Sequence, residues 1–221
     1  MNLSKSLEYF DPINDVKESI HIIGIGAMGS RVAELLVRLG IPKLHIWDMD
    51  TVEDKNIANQ VYLHHHIGMK KTDALEELLK DINPQIKIIK HEEYKDQSLS
   101  GYIFLCVDSI ELRSMIANMH KENTYIKAMF DTRMRLEDAQ SYAADWSNEA
   151  QKKMFLSSME FTDEEAKEAT PVSACGTTLS VASTVVSTAA FTVANFINLI
   201  RKSKCDSMIF TDAFNFTITK F

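Results

Sequence analysis

An α/β fold on a doubly wound, mostly parallel sheet, with a long C-terminal helix and antiparallel strands, is predicted by three features of the sequence. Short apolar runs alternate with helix-periodic segments through residues 20–130. The first run ends in a glycine-rich turn that opens straight into a helix. A long segment rich in Ala, Ser, Thr and Val at 177–201 precedes two last strand-like runs.

The elements follow in order. Residues 1–19 form an N-terminal helix or arm, interrupted at Pro12. Ile20–Ile23 is a short apolar run before Gly24, hence a buried strand. Ala27–Leu39 carries apolar residues at helical spacing and stops at Gly40. Lys43–Trp47 is the second strand. Residues 71–82 form a helix with Leu75, Leu78, Leu79 and Ile82 on one face, ended by Asn83-Pro84. Ile86–Ile89 and Tyr102–Val107 are the third and fourth strands, Glu111–His120 a helix and Tyr125–Phe130 the fifth strand. Ala139–Ala144 has strand character, and Ser147–Lys167 is charged and either partly helical or mobile. The small residues of 177–201 allow close packing on the sheet or against a second subunit. Met208–Thr211 and Phe214–Thr219 are the closing strands, joined tightly at Asp212-Ala213.

Composition narrows the function classes. The 221 residues are 45% hydrophobic and 25% charged, which fits one globular domain over 1–221 with an arm at 1–19 and a crossover segment at 147–176. A net charge of −7 argues against a general nucleic-acid surface. No unbroken run of about 18 apolar residues occurs, so no membrane span is expected; Val181–Ile200 comes nearest but is interrupted by Ser, Thr and Asn. The first twenty residues carry acids and do not read as a signal peptide. Cys106, Cys175 and Cys205 form no C-x-x-C pair, which points away from zinc or a disulfide framework and towards a reducing cytoplasm.

Three of the seven glycines lie in Gly24-Ile25-Gly26-Ala27-Met28-Gly29. Strand, turn and helix in that order are the Rossmann-like context of a nucleotide fingerprint: Gly24 for the sharp turn, Gly26 for close approach of phosphate, Gly29 for helix–strand packing. The helix N-terminus then offers free N–H groups to an anion. Asp48 ends the second strand about twenty residues further on, where a carboxylate accepts ribose hydroxyls. These features suit NAD, S-adenosylmethionine or ATP alike, and a nicotinamide oxidoreductase is viable on them alone.

The next residues select among these. Asp48, Asp50, Val52, Asn56 and Gln60 fall at the spacing D-x-D-x-V followed by N-x-x-x-Q, and Asn56 and Gln60, four apart, share one face of a helical turn. Gly68-Met69-Lys70-Lys71 opens the next helix, Asp108-Ser109-Ile110-Glu111-Leu112-Arg113 follows the fourth strand, and Asp131-Thr132-Arg133-Met134 follows the fifth. In this order the motifs resemble the ThiF/MoeB/HesA family of ubiquitin-activating-enzyme-like adenylyltransferases, and D-x-R-M with Cys175-Gly176 before a long helix is similar to its compact bacterial and phage branch.

The resemblance spans roughly residues 20–202 and implies an ATP- and magnesium-dependent enzyme that adenylates the C-terminal carboxylate of a small ubiquitin-like or sulfur-carrier protein ending in Gly-Gly. It also implies a homodimer. Gly24, Gly26, Gly29, Asp48, Asp50, Asn56, Gln60 and Lys71 would bind the nucleotide, with Asp48 on the ribose, Lys71 on the phosphates and Asp108 on magnesium. Read alone, Lys71 is equally a solvated surface lysine, Asp108 a helix cap and Arg113 a packing or salt-bridging residue. Cys175 is either a thiol activated at a helix start, forming a thioester or disulfide with the carrier, or a small buried residue at a crowded turn. Cys106 reads as core and Cys205 as a semi-exposed bystander. His64-His65-His66 point in different directions and suit solvated or packing roles better than one metal site.

Asn59 stands where the family carries an arginine before the glutamine, and the N-terminal arm lacks the family's arginine segment. A neutral amide donates a weaker hydrogen bond than a guanidinium. Arg133 and Arg135 are the candidates to supply the missing charge. A nucleotide-binding scaffold without turnover is the alternative reading.

Overall fold

A computed structural model describes residues 1–168, 171 and 179–221. Eight strands form one sheet: β1 (Ile20–Ile23), β2 (Lys43–Trp47), β3 (Lys87–His91), β4 (Gly101–Leu105), β5 (Ile126–Met134), β6 (Asp138–Asp145), β7 (Met208–Asp212) and β8 (Thr217–Lys220). Their order is β3-β2-β1-β4-β5-β6-β7-β8. The first five strands pair in parallel and the last three join antiparallel. The chain winds outward from β1 to β3 and then crosses back to β4, so the winding direction reverses between β1 and β4. Ligands of such sheets bind in the crevice at that reversal, beyond the carboxyl ends of the strands.

Strand alternation divides the interior in two. Ile20, Ile22, Phe104 and Phe130 face a core shared with α2 (Ala27–Arg38), α3 (Lys71–Ile82) and α7 (Ala182–Lys202). Ile23, Ile103, Leu105 and Met129 face a second core with α4 (Ile110–Met119) and α5 (Glu149–Ser157). Helices on both faces account for the burial of every residue of β1 and β4.

Several elements differ from the sequence expectation. Pro12 does not interrupt a helix; it opens the short α1 (Pro12–Asp15), where Asp11 caps the amides of Ile13 and Asn14. A proline at the first helical position forfeits no hydrogen bond. β5 runs on through Asp131, Thr132 and Arg133, because β6 pairs with it as far as Met134. The segment after β6 folds into α5 and α6 (Asp163–Glu168), with Phe155 of α5 buried. Asp212 accepts the amides of Phe214 and Asn215, so the last hairpin turns over 213–216 rather than at Asp212-Ala213.

The helix expected at 177–201 spans Ala182–Lys202, and residues 177 and 178 lie outside the described residues. Among described residues α7 is long and apolar enough to span a membrane, with mean hydropathy 1.4, but half of that stretch is buried within the protein. The polar residues that interrupt it seat it on the sheet. Thr192 Oγ1 lies 2.8 Å from Ser141 Oγ of β6, Thr188 Oγ1 3.2 Å from Thr211 Oγ1 of β7, and Asn195 exchanges two bonds with the Asp206 backbone. Buried hydroxyls and amides without such partners would be costly.

Candidate active site

The glycine turn sits at the end of β1, against β4. Gly24 has φ +85°, and a Cβ there would lie 2.8 Å from the Cys106 carbonyl carbon and the Val107 nitrogen. A Cβ on Gly29 would lie 1.9 Å from the Gly24 oxygen, which is how closely α2 approaches the strand end. Gly26 differs: a Cβ there would meet nothing within 4 Å. It is the N-cap of α2 and brings no side-chain cap. The first helical bond runs from Ser30 N to Gly26 O, so the amides of Ala27, Met28 and Gly29 have no acceptor within the helix. Open space beside Gly26 and unpaired helix donors therefore coincide.

The end of β2 grips this turn. Gly24 N donates to Trp47 O (2.9 Å), and Ile25 N donates to Asp48 Oδ2 (2.9 Å). The other Asp48 oxygen accepts Asp50 N at 2.9 Å. Tyr62 donates its hydroxyl to Ile25 O at 2.8 Å.

Lys71 is not a solvated surface lysine. Its side chain is 9% exposed, with Nζ 2.7 Å from Asp50 Oδ2 and 3.8 Å from Asp48 Oδ1. A short antiparallel pairing delivers it there: Thr51 bridges Lys70, Val52 N donates to Met69 O, and Lys71 N donates to Asp50 O at 2.9 Å. Asp48, Asp50 and Lys71 thus meet beside the glycine turn.

Asn56 and Gln60 do not share a full helix. A 3-10 turn covers Asp54–Asn56, and one further bond, Gln60 N to Asn56 O (2.9 Å), links the two. Asn56 Oδ1 accepts Glu53 N at 2.8 Å, which leaves its Nδ2 for another acceptor. Gln60 Oε1 is buried and has no partner among the described residues. Asn59 donates its amide to Ser180 Oγ.

Asp108 is exposed beyond the carboxyl end of β4. It is not the cap of α4. Ser109 holds that position, accepting Leu112 N at 3.0 Å, and Asp163 of α6 accepts Ser109 Oγ (2.8 Å) and the Ile110 amide (2.6 Å). Burial raises the Asp163 carboxyl, but these donors outweigh it and hold it below the usual value.

Arg113, Arg133 and Arg135 are already engaged. Arg113 is buried, ion-paired with Asp131, and donates to Val107 O (2.8 Å) and Thr132 O (2.7 Å), the structural role read for it. Arg133 donates to Asp131 Oδ2 (2.6 Å) and to Ser158 Oγ (2.9 Å), with its guanidinium over the Tyr142 ring. Arg135 pairs with Asp138 at 2.9 Å. The site thus brings together Gly24, Gly26, Gly29, Asp48, Asp50 and Lys71, while Arg133 is committed to an internal network.

Cys175 lies outside the described residues. Cys106 packs against the core, and burial pushes its thiol up to about 11. Cys205 is buried rather than semi-exposed, and its thiol is likewise pushed up to about 11 by burial. His66 is buried, and its Nδ1 accepts Leu63 N at 3.0 Å, so its neutral ring carries the proton on Nε2. That Nε2 faces Glu77 Oε1 at 3.6 Å, and His65 Nε2 reaches the same oxygen at 3.2 Å. A protonated Nε2 is a donor to the carboxylate and not a metal ligand. Tyr62 and Asp163 were not singled out from the sequence: neither sits in a motif, and each acts only across the folded structure.

The ThiF family signature matches residues 13–221. Ubiquitin-like modifier-activating enzyme 5 of Branchiostoma floridae is 32% identical over 117 residues, covering 44% of this chain and 29% of that protein. Its counterpart in Oryza sativa subsp. japonica is 44% identical over 70 residues, covering 32% of this chain and 17% of that protein. The chain therefore spans under a third of the length of these relatives. The crystal structure of E. coli MccB with AMPCPP and MccA superposes with TM-score 0.74 at 15% identity, covering 95% of this chain and 65% of that one. The structure of PaaA gives TM-score 0.71 at 16% identity, covering 93% and 64%. At such identity the likeness shows a shared fold. With the signature matched over residues 13–221, the chain belongs to the ThiF family.

Proposed function

We propose that the chain binds ATP over the glycine turn and adenylates the C-terminal carboxylate of a small ubiquitin-like or sulfur-carrier protein. The observation that carries this is the placement of Lys71 between Asp50 and Asp48, next to the open N-terminus of α2. The open space beside Gly26 fits a ligand at that place, and the buried Gln60 Oε1 is left without a partner by the protein itself. Relatives named as ubiquitin-like modifier-activating enzymes, and MccB structures containing ATP, support the same ligand and reaction class.

In this reading a carrier carboxylate oxygen forms a bond to the α-phosphorus, the α–β P–O bond breaks, and pyrophosphate leaves. Negative charge grows on the phosphate oxygens, so fixed donors and cations stabilise the transition state. The α2 amides and the free amide of Asn56 donate to phosphate. Lys71 neutralises charge, Asp48 accepts the ribose hydroxyls, and exposed Asp108 would hold a magnesium ion, which would supply further positive charge to the phosphates. The Cys175 thiolate would then attack the acyl adenylate carbonyl, forming a thioester as the acyl–phosphate bond breaks and AMP leaves. A Gly-Gly tail suits entry to such a site, because it is slender and flexible. A homodimer and a cytoplasmic setting complete the proposal. One side of α7 packs against the sheet and α2, while Val186, Ala190 and Ala194 on its other side are exposed and offer a small-residue surface to a second subunit.

One observation favours the second reading, binding without turnover. Asn59 brings no charge, and its amide is occupied by Ser180. ATP–pyrophosphate exchange with carriers ending in Gly-Gly separates the two. Exchange is expected with the wild type and is expected to fall about 100-fold in Lys71→Ala. ATP binding with no exchange establishes the scaffold reading, and absence of both overturns the nucleotide site.

A further inference from the structure

We propose that Tyr62 orients the Ile25–Gly26 peptide so that the Gly26 N–H faces a bound phosphate, an inference that rests on the nucleotide reading above. Ile25 is held on two sides: its N–H by Asp48 Oδ2 at 2.9 Å and its carbonyl oxygen by the Tyr62 hydroxyl at 2.8 Å. In a planar trans peptide the carbonyl of one residue and the N–H of the next point in opposite directions. Fixing the Ile25 carbonyl onto Tyr62 therefore turns the Gly26 N–H away from Tyr62. Gly26 is also the position with open space beside it.

The clamp is needed because this peptide is unusually free. Glycine follows it, glycine precedes Ile25, and glycine tolerates either orientation of a flipped peptide. A flip would present the Ile25 carbonyl oxygen to the phosphate in place of an N–H, turning attraction into repulsion. Tyr62 is suited to prevent this. It is 2% exposed, its ring meets His66 edge-on with centroids 6.3 Å apart, and its hydroxyl has one acceptor, Ile25 O. Tyr62 touches no ligand atom in this scheme; it is a positioning residue. It also ties the N-x-x-x-Q segment, which ends two residues earlier at Gln60, to the glycine turn.

The test titrates wild type, Tyr62→Phe and Val61→Ala with ATP-magnesium and with adenosine. Tyr62→Phe is expected to lose about tenfold in ATP affinity, the scale of one hydrogen bond to a charged group, with adenosine affinity unchanged. Val61→Ala thins the neighbouring core but keeps the hydroxyl, and is expected to bind ATP like the wild type. The proposal is overturned if Tyr62→Phe binds ATP normally, loses both ligands alike, or is matched by Val61→Ala. Wild type that binds no ATP overturns the nucleotide reading itself. A measurement on the unaltered protein stands beside these: in 15N-labelled wild type the Gly26 amide proton moves downfield on adding ATP-magnesium, and a resonance that stays in place rejects the role given to Tyr62.

Discussion

Asp48 accepts the backbone N–H of Ile25 at 2.9 Å, joining the end of β2 to the glycine turn across 23 residues of chain. The same carboxylate accepts Asp50 N and lies 3.8 Å from Lys71 Nζ, so one side chain orders the turn, the following loop and the lysine. Asp48→Asn keeps an acceptor but removes the charge and one lone-pair set. The variant is expected to be about 1–3 kcal/mol less stable and to bind ATP at least tenfold more weakly. Urea unfolding with calorimetric titration measures both, and unchanged values would mean that Asp48 neither orders the loop nor meets the ribose.

The glycines separate binding from folding. Gly26→Ala adds a methyl where nothing lies within 4 Å, so the fold should persist while phosphate loses its approach to the backbone. Gly29→Ala places a Cβ 1.9 Å from a backbone oxygen and should prevent normal folding. Circular dichroism and ATP titration of the pair give the answer: Gly26→Ala binding ATP like the wild type would remove Gly26 from the site.

Asn59 tests the missing cation. Asn59→Arg restores the family's charge at the cost of the bond to Ser180. If the deficit is electrostatic, pyrophosphate exchange rises by about tenfold, since charge-assisted bonds are roughly twice as strong as neutral ones. An unaltered rate would show that Asn59 does not limit turnover.

Acid stability follows from a row of histidines across β1, β2 and β3. His21 and His45 stack with centroids 4.3 Å apart, His45 and His91 lie 5.4 Å apart, and Trp47 stacks on His91 at 3.8 Å. Burial first, then repulsion from neighbouring histidines, pushes His21 down to about 3 and His45 to about 4. Both rings are neutral in the folded protein but take up protons when unfolded, near an ordinary value of about 6.5. The unfolded chain then binds more protons, so stability rises with pH across this window and is lost as pH falls from about 6.5 towards 4. The slope approaches about 1.4 kcal/mol per pH unit for buried His21 and is smaller for the half-buried His45, which solvent screens. Urea midpoints followed by tryptophan fluorescence should drop between pH 7.5 and pH 5, and His21→Leu should flatten that slope. Equal midpoints at the two pH values would contradict the neutral assignment.

Much of the fold was legible residue by residue. β1, α2, β2 and α3 lie within a residue of where periodicity, Gly40 and Asn83-Pro84 put them. Local patterns decide such elements, so a linear reading reaches them. Boundaries failed where a partner strand decides: β5 extends to Met134 because β6 pairs with it, and Pro12 begins a turn that Asp11 caps. Among site residues, Lys71 alone was indistinguishable from a surface lysine until the pairing of 50–52 with 68–71 buried it beside Asp50.

By itself the sequence determined the strand–glycine–helix unit, the order of the motifs and, with them, the family. Only the tertiary structure decided that Asp48 holds the Ile25 N–H and Tyr62 its carbonyl, that Asp163 and Ser109 rather than Asp108 cap α4, and that Arg133 is bound to Asp131. The reason is physical. Helical and strand periods are written over a few neighbouring residues, whereas these contacts join residues such as Ile25 and Tyr62, 37 apart, that meet only once the strand order β3-β2-β1-β4 is set.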